Sequence, residues 1–219
     1  LKRTLIQNYD LRYEIFPNPG EVLSVSFFAK TFENAIEETI YPQQSELTKS
    51  FANSSGQAKN LGVEFEIRKG LGFITEFLNN FAVNINLSLI NTEIQVSQGG
   101  TTVDTRQMWG QSPYSFNLGL YYFNSNTNTS VNLAYNTYGK RIIQVALVGV
   151  YQFDNPHIYE LPRNLIDLSI NQVITANLEA KQAIKDLLNE PLVWEQGNRK
   201  VASTLRGTNI SLGISYKIF

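Results

Sequence analysis

The sequence is poor in several residue types, and each shortage excludes a class of protein. The 219 residues include no Cys, one His and one Met, which rules out disulfides and thiolate metal sites. The 18 Lys and Arg residues nearly balance the 19 Asp and Glu residues, so nucleic acid is not an expected partner. No run of about 18 apolar residues exists to form a transmembrane helix. The chain starts at Leu1 rather than Met and has no signal peptide, so we expect it to begin within a longer polypeptide.

Apolar residues instead alternate with polar residues along several segments. In segment 81–89 every odd position is apolar, whereas the even positions are Ala, Asn, Asn and Ser. The same alternation occupies 61–68, 114–122, 131–136 and 210–217, with shorter versions at 23–27 and 166–170. A period of two is typical of β-strands that have one apolar and one polar face. The pattern therefore predicts an all-β protein.

About nine strands are predicted from this alternation. They lie at 9–16, 21–32, 57–69, 80–93, 112–124, 128–139, 162–173, 176–187 and 207–219. The eighth segment also suits an amphipathic helix, and we interpret it as a strand. Long connections at 33–56, 94–111, 140–161 and 188–206 alternate with shorter ones at 17–20, 70–79, 124–127 and 174–175. Such a series predicts an antiparallel up-and-down meander with its long loops at one end.

A soluble sandwich and a membrane barrel both fit this alternation, and three features favour the barrel. The first is that the long connections all fall at one end, as in outer-membrane barrels. Several predicted strands have about a dozen residues, whereas soluble strands average roughly 5–6 and membrane strands need about 9–11. Aromatic residues collect at the short-turn end, where barrels have an interfacial girdle: Phe16, Phe81, Tyr121, Tyr122, Phe123 and Phe219. Charge is also excluded from the apolar faces near mid-strand, as lipid contact requires. The sequence therefore predicts an antiparallel up-and-down transmembrane β-barrel.

Short motifs follow one another along nearly the whole chain. They are 8–14 (NYDLRYE), 16–21 (FPNPGE), 25–30 (VSFFAK), 34–37 (NAIE), 60–66 (NLGVEFE), 110–114 (GQSPY) with Asn117, 135–136 (YN), 139–142 (GKRI) and 206–209 (RGTN). In this order they resemble the C-terminal half of the barrel of TonB-dependent outer-membrane receptors, especially those of Bacteroidota-type bacteria. The resemblance implies that residues 1–219 are the C-terminal part of a larger barrel of roughly 22 strands. The N-terminal plug domain and first barrel strands would then be absent from this chain.

The resemblance also implies a location, a function and a set of partners. The chain would lie in the bacterial outer membrane, with a periplasmic C-terminus and extracellular long loops. It would be a receptor and not an enzyme, with no cofactor, for energy-coupled uptake of a siderophore, cobalamin, oligosaccharide or peptide. Expected partners are outer-membrane lipid and lipopolysaccharide, the receptor's own plug domain, TonB through that missing part, the barrel-assembly machinery and a surface lipoprotein.

Three groups of residues are candidates for binding. The alternation places Glu64, Glu66, Asn84 and Asn86 on the lumen-facing side, where they would contact the plug or the substrate. Trp109 and Trp194 lie in predicted outer loops and are candidates for ligand contact. The last strand resembles the signal read by the barrel-assembly machinery, through Ile210, Leu212, Ile214, Tyr216 and the terminal Phe219. Phe219 is one residue out of phase with the other four.

No arrangement of residues predicts catalysis or a resident metal. His157, in a long loop, is expected to be a surface residue, and Glu37–Glu38 is expected to be a solvated loop pair. The basic segment Gly139–Arg141 could contact an anionic ligand or lipopolysaccharide phosphate, although a solvated loop is the simpler interpretation. Two other functions stay open: a different outer-membrane barrel, acting as a passive channel or structural partner, and a soluble carbohydrate-binding module that uses Trp109 and Trp194.

Overall fold

The computed structural model of the protein describes residues 1–43, 46–54, 56–98, 101–146 and 156–218. Its strands are β1 (Leu5–Ile15), β2 (Val22–Glu33), β3 (Ile36–Gln43), β4 (Glu46–Asn53), β5 (Ala58–Gly70), β6 (Phe81–Gln98), β7 (Thr101–Arg106), β8 (Tyr114–Asn124), β9 (Thr129–Tyr138), β10 (Arg141–Gln144), β11 (Ile158–Glu160), β12 (Leu165–Thr175), β13 (Leu178–Lys185), β14 (Leu192–Gln196), β15 (Arg199–Thr204) and β16 (Asn209–Tyr216). A 3₁₀-helix occupies Glu76–Leu78. None of the described helical segments is long and apolar enough to cross a membrane.

The main sheet is an antiparallel meander. Its strands follow the order β1-β2-β5-β6-β8-β9-β12-β13-β16, and β7 adds to the far end of β6. These nine strands in sequence correspond to the nine predicted segments, so the all-β meander is confirmed. The eighth segment is the strand β13 and not a helix, because Leu178, Ala180, Gln182 and Ile184 pair in register with β16. Leu178, Ala180 and Ile184 then lie opposite Tyr216, Ile214 and Ile210 on the apolar face, and Gln182 lies opposite Leu212.

Short turns join the strands at one end of the main sheet, which we call the short-turn end. The predicted turn at Pro17–Gly20 is present: the Glu21 amide donates to the Asn18 carbonyl at 3.0 Å. Gly20 has a φ of 81°, which a residue without a Cβ adopts at little cost. The other turns at this end lie at 71–80, 125–128 and 176–177.

The long connections lie at the opposite end, the long-connection end, and their described parts contain strands where the sequence predicted loops. β3 and β4 form a hairpin of their own, and β10, β11, β14 and β15 form a second sheet in the order β10-β11-β14-β15. β6 also continues to Gln98, well beyond its predicted end at residue 93. β7, β10, β11, β14 and β15 have only three to six residues each, and β3 and β4 do not alternate cleanly, so a period of two could not predict these strands.

The two faces of the main sheet differ in chemistry across β1, β2, β5, β6 and β8. One row of paired residues reads Tyr13, Val25, Phe65, Leu87 and Phe116. The neighbouring row on the other face reads Arg12, Ser26, Glu64, Ser88 and Ser115. Apolar side chains such as Phe27 and Leu89 are 54% and 44% exposed, so no second protein layer covers the apolar face among the described residues. Such a large exposed apolar surface is typical of contact with lipid.

Buried side chains concentrate at the long-connection end. One cluster contains Ala35, Ala58 and Ile94, with Phe32 and Met108 packed against it. A second contains Ile40, Ile142 and Val145, with Tyr159 against it. Ile40 of the β3–β4 hairpin therefore packs against the small sheet, and Ala35, just before β3, packs against β5 and β6 of the main sheet. This packing gives the long connections a defined position.

Candidate functional site: the polar face and the long-connection end

The polar face of the main sheet carries a charged cluster across β1, β2 and β5. The guanidinium of Arg12 lies 2.7 Å from Glu66 Oε2 and donates to the Ser26 hydroxyl at 3.1 Å. Its Nε also pairs with Glu14, and Arg68 lies 3.9 Å from the other oxygen of Glu66. Because positive and negative groups are interleaved, the cluster presents hydrogen-bonding groups of both signs.

An amide patch continues this face toward β9. Asn86 lies opposite Glu66 on one side and opposite Asn117 on the other. Asn136 donates its side-chain amide to Asn117 at 2.5 Å, and Asn86 lies 3.4 Å from the Asn84 side-chain oxygen. Asparagine both donates and accepts hydrogen bonds, so this patch suits neutral polar groups.

The four residues predicted to face the lumen come together on this one face. Glu66 is opposite Asn86, Asn84 is opposite Arg68, and Glu64 is opposite Ser88, whose hydroxyl is 3.4 Å from Glu64 Oε1. Contact of Glu64, Glu66, Asn84 or Asn86 with a plug or ligand stays a prediction. Arg12, which joins this group across β2, was not among the candidate residues predicted from the sequence. The alternation within β1 could have predicted that Arg12 lies on the polar face, because Arg12 occupies the same phase as Asp10 and Glu14.

At the long-connection end, Glu37 holds the β3–β4 hairpin in place. Its Oε2 lies 2.9 Å from Arg106 Nη1 and accepts the Trp109 backbone amide at 3.1 Å. The Glu37 and Arg106 side chains are only 8% and 6% exposed. The expectation that Glu37–Glu38 is a solvated pair is therefore wrong, because Glu37 meets an arginine 69 positions later in the chain.

Glu38 and His157 are also buried. The Val145 amide donates to Glu38 Oε1 at 3.2 Å, and the Ala146 amide donates to His157 Nδ1 at 2.8 Å. The expectation that His157 is a surface residue is wrong, since it is buried beside β10. Both side chains serve as hydrogen-bond acceptors for the backbone that follows β10, which gives them a structural role here.

The two tryptophans occupy different parts of this end. Trp109 Nε1 donates to the Ile143 carbonyl at 3.1 Å, and its ring meets Phe51 edge-on with centroids 6.2 Å apart. Trp194 lies in β14, opposite Glu160 of β11. Both side chains keep about 40% of their surface exposed, at 41% for Trp109 and 39% for Trp194. Each could contact a ligand from its own position, which stays a prediction.

The basic segment at 140–141 has its charge balanced by carboxylates. Lys140 Nζ lies 3.0 Å from Glu195 Oε2, and Arg141 lies 2.6 Å from Glu160 Oε1. The same oxygen of Glu160 accepts the Tyr138 hydroxyl at 2.7 Å. This segment is therefore a polar junction between β9, β10, β11 and β14, rather than the plain solvated loop or the free cationic patch considered from the sequence.

Another polar cluster joins the long-connection ends of β12, β13 and β16. The buried guanidinium of Arg163 pairs with Asp186 and donates from Nε to the Glu190 carbonyl at 2.7 Å. The Thr208 hydroxyl donates to the Asp186 carbonyl at 2.9 Å. Asp186 has a φ of 58°, in the left-handed region that Asp tolerates better than most residues. No sequence pattern predicts this cluster, because its members lie in three separate segments.

The last strand has the alternation that was predicted for it. Ile210, Leu212, Ile214 and Tyr216 share one face of β16 and are 68%, 74%, 72% and 65% exposed. In the described residues this strand has one ladder neighbour, β13. Phe219 lies outside the described residues. Recognition of this strand by assembly machinery stays a prediction.

Titratable side chains do not converge on a reactive centre in the described ranges. In that part of the chain no group of three or more His, Asp or Glu residues is placed to hold a metal ion. The carboxylates described above are instead paired with arginine, lysine or backbone amides. The arrangement suits binding and structural support.

These features together define a class of protein. A meander of long antiparallel strands has one exposed apolar face, one polar face and structured connections at one end. Lipid on the apolar side, water on the polar side and alternation along each strand characterise the wall of a transmembrane β-barrel. The fold is therefore that of part of an outer-membrane-type barrel.

Comparison with known proteins identifies the family. The family model for the TonB dependent receptor-like beta-barrel matches residues 1–178, and the chain belongs to this family. The solved structures that resemble the chain are titled transporters and receptors rather than enzymes. No curated protein sequence matches the chain.

Solved structures of such receptors have the same fold. The FrpB iron transporter from Neisseria meningitidis superposes with a TM-score of 0.67 at 14% identity, over 98% of this chain and 30% of its own. The siderophore receptor PirA from Acinetobacter baumannii gives 0.66 at 12% identity, over 99% of this chain and 32% of its own. The copper transporter OprC gives 0.67 at 13% identity, over 98% and 32%. The chain thus spans about a third of the length of each of these proteins.

Proposed function

We propose that this chain is part of the barrel wall of a TonB-dependent receptor that imports a scarce nutrient across the bacterial outer membrane. The observation that carries the proposal is the continuous nine-strand meander with opposed apolar and polar faces, together with the family match over residues 1–178. Residues 1–219 would form the C-terminal part of the barrel. A plug domain and the first barrel strands would be supplied by the rest of the receptor.

The proposed orientation places the short-turn end in the periplasm and the long-connection end outside the cell. Long outer connections and short periplasmic turns are the general pattern of bacterial barrels. The C-terminus then lies in the periplasm, where β16 would be accessible to the barrel-assembly machinery. Lipopolysaccharide would contact the apolar face near the long-connection end, and a surface lipoprotein would meet the folded connections.

Ligand would enter at the long-connection end and descend along the polar face. Trp109 and Trp194 would provide partly exposed aromatic surface for it. Glu64, Glu66, Asn84 and Asn86 would contact either the ligand or the plug. The solved relatives named above transport iron, bind siderophores or transport copper by their titles, which supports a metal or metal chelate as cargo. Cobalamin, an oligosaccharide or a peptide are the other ligand classes to test.

An uptake assay tests this function. Cells that depend on the receptor carrying this sequence would be supplied with labelled ferric siderophore, copper, cobalamin, oligosaccharide or peptide, with and without TonB. We expect saturable uptake of one class that stops when TonB is deleted or the proton-motive force is collapsed. Passive flux that continues without TonB would instead identify an ungated channel and contradict the proposal.

Substitutions at the long-connection end refine the assay. Trp194→Ala is compared with Val201→Ala on the neighbouring strand β15, since the Val201 side chain is also well exposed, at 47%. A rise in the half-saturating ligand concentration for the Trp194 variant alone would place the ligand at this ring. Equal uptake by both variants would remove Trp194 from the proposed binding surface.

A further inference from the structure

The turn at 71–80 exposes three large apolar side chains at the short-turn end. Phe73, Ile74 and Phe77 are 70%, 60% and 81% exposed. The other turns at this end lack such a group: residues 125–128, for example, are Ser, Asn, Thr and Asn. Three apolar side chains within five positions are costly to leave in water. Their exposure therefore requires an explanation.

The turn itself is well folded, so the exposure does not come from an irregular loop. The Leu71 amide donates to the Phe81 carbonyl at 2.8 Å and closes the turn between β5 and β6. The Ile74 amide donates to the Leu71 carbonyl at 3.0 Å. Gly72 lies so close to Asn79 that an added Cβ would be 2.1 Å from its side-chain oxygen. The two sides of the turn are thus packed together, with the three apolar side chains outside.

One of these side chains, Phe77, extends the apolar face of the main sheet. The ring of Phe77 lies 6.4 Å from that of Phe81, which in turn lies 4.8 Å from Tyr122 on β8. Phe81 and Tyr122 are paired residues on the apolar face. The apolar surface therefore continues from Phe81, the first residue of β6, onto the preceding turn without a polar break at this point.

Lys69 marks the edge of the lipid-facing surface beside the turn. It lies on the apolar face opposite Val83, and its ammonium is 5.3 Å from the centre of the Phe73 ring. The same ammonium reaches Glu21 Oε2 at 2.7 Å. A lysine that spans apolar surface and places its charge next to aromatic rings is typical of the membrane interface.

We infer that the turn at 71–80 is a membrane anchor, with Phe73, Ile74 and Phe77 inserted at the boundary between headgroups and acyl chains of the leaflet at the short-turn end. The partner is the lipid surface itself, since the turn continues the face that already contacts lipid. An amphipathic segment that buries its apolar side chains at the boundary between headgroups and acyl chains is stable there without spanning the bilayer. The inference depends on the membrane position of the barrel and not on what the receptor imports.

A spin-label experiment tests the anchor directly. The chain has no Cys, so Phe77→Cys and Ile74→Cys each provide a single labelling site within it. Asn126→Cys, in the polar turn at 125–128, is the matched control at the same end of the sheet. The labelled receptor is reconstituted into phosphatidylcholine vesicles, and collision of the nitroxide with oxygen and with a water-soluble nickel chelate is measured. Heat-modifiable gel mobility verifies that each variant is folded.

The anchor predicts opposite accessibilities for the two turns. Labels at 74 and 77 should collide with oxygen more often than with the nickel chelate, whereas the label at 126 should show the reverse. High nickel accessibility at 74 and 77 would overturn the inference, because the turn would then lie in water. Protection from both reagents that persists in detergent micelles would also overturn it, because a protein surface or second copy would then cover the turn.

Discussion

Arg12 on β1 reaches across β2 and places its guanidinium 2.7 Å from Glu66 on β5. The two residues are 54 positions apart in the sequence, and both lie on the polar face. Their side chains are 41% and 26% exposed in this chain, so water screens the pair. The contact therefore fixes where charge lies on the wall and adds little to its stability.

Replacement of this carboxylate should change charge without unfolding the wall. We expect Glu66→Gln to leave the thermal unfolding midpoint nearly unchanged, because a screened surface pair contributes little. Circular dichroism during heating in detergent measures the midpoint. Glu64→Gln is the control on the same strand, because it removes a charge but keeps a side-chain oxygen that can accept the long Ser88 hydrogen bond. A large drop for Glu66→Gln alone would show that the pair is structural.

The buried pair between Glu37 and Arg106 should behave differently. Arg106→Ala leaves the Glu37 carboxylate buried without its ion partner, a change that costs about 3–5 kcal/mol in such pairs. We expect the β3–β4 hairpin to detach locally and become sensitive to added protease, while the main sheet stays folded. Lys140→Ala, which removes a half-exposed pair with Glu195, should have a much smaller effect.

A double substitution separates charge burial from packing at this position. Glu37→Gln with Arg106→Met removes both charges while keeping long side chains in place. We expect this variant to resist protease better than Arg106→Ala, because no unpaired charge stays buried. Equal sensitivity of the two variants would mean that the ion pair itself holds the hairpin.

Gly62 provides a test of close packing on the polar face. A Cβ at this position would lie 2.3 Å from the Phe28 ring and 2.7 Å from the Leu89 carbonyl, so Gly62→Ala must displace one of them. Such overpacking costs about 1–3 kcal/mol. Gly213→Ala on β16 is the matched control, since its nearest neighbour would be 3.9 Å away. We expect only the Gly62 variant to show less heat-modifiable, assembled protein.

Glu21 makes the short-turn end sensitive to acid. Hydrogen bonding from the Lys69 ammonium, with help from the Asn18 and Gly70 amides, holds the pKa of Glu21 below its ordinary value. A carboxylate with a lowered pKa stabilises the folded state above the unfolded pKa, and this contribution is lost as the pH falls through the folded pKa. The Gly70 backbone amide donates to Glu21 at 3.1 Å. We therefore expect this amide to lose its protection from hydrogen exchange as the pH falls through the pKa of Glu21 in the folded state.

Hydrogen exchange at Gly70, corrected for the intrinsic effect of pH, measures this loss. In Glu21→Gln the neutral side chain no longer titrates, so the acid-dependent step should disappear. The step would be assigned to another group if it persisted in this variant. Asn18→Ala removes a neutral donor to the same carboxylate and should leave the step in place, moved toward higher pH.

Alternation was sufficient to predict the main sheet, because each long strand repeats its two-residue period several times. Segment 81–89 predicted both the strand and the face on which Asn84 and Asn86 lie. Segment 176–187 was ambiguous, since its apolar positions suit two periods, and pairing with β12 and β16 decides for a strand. The strands at the long-connection end were missed because each offers only a few residues of pattern.

The sequence by itself therefore determined the strand order of the main sheet, its two chemically distinct faces and the family. These depend on local periodicity and on motifs read in order along the chain. The tertiary structure decided which distant residues meet: Glu37 with Arg106, Arg163 with Asp186, and Arg12 with Glu66. A carboxylate has the same local sequence signal whether it is solvated or buried beside an arginine. Only the pairing of strands distant in sequence brings the two charges together and removes them from water.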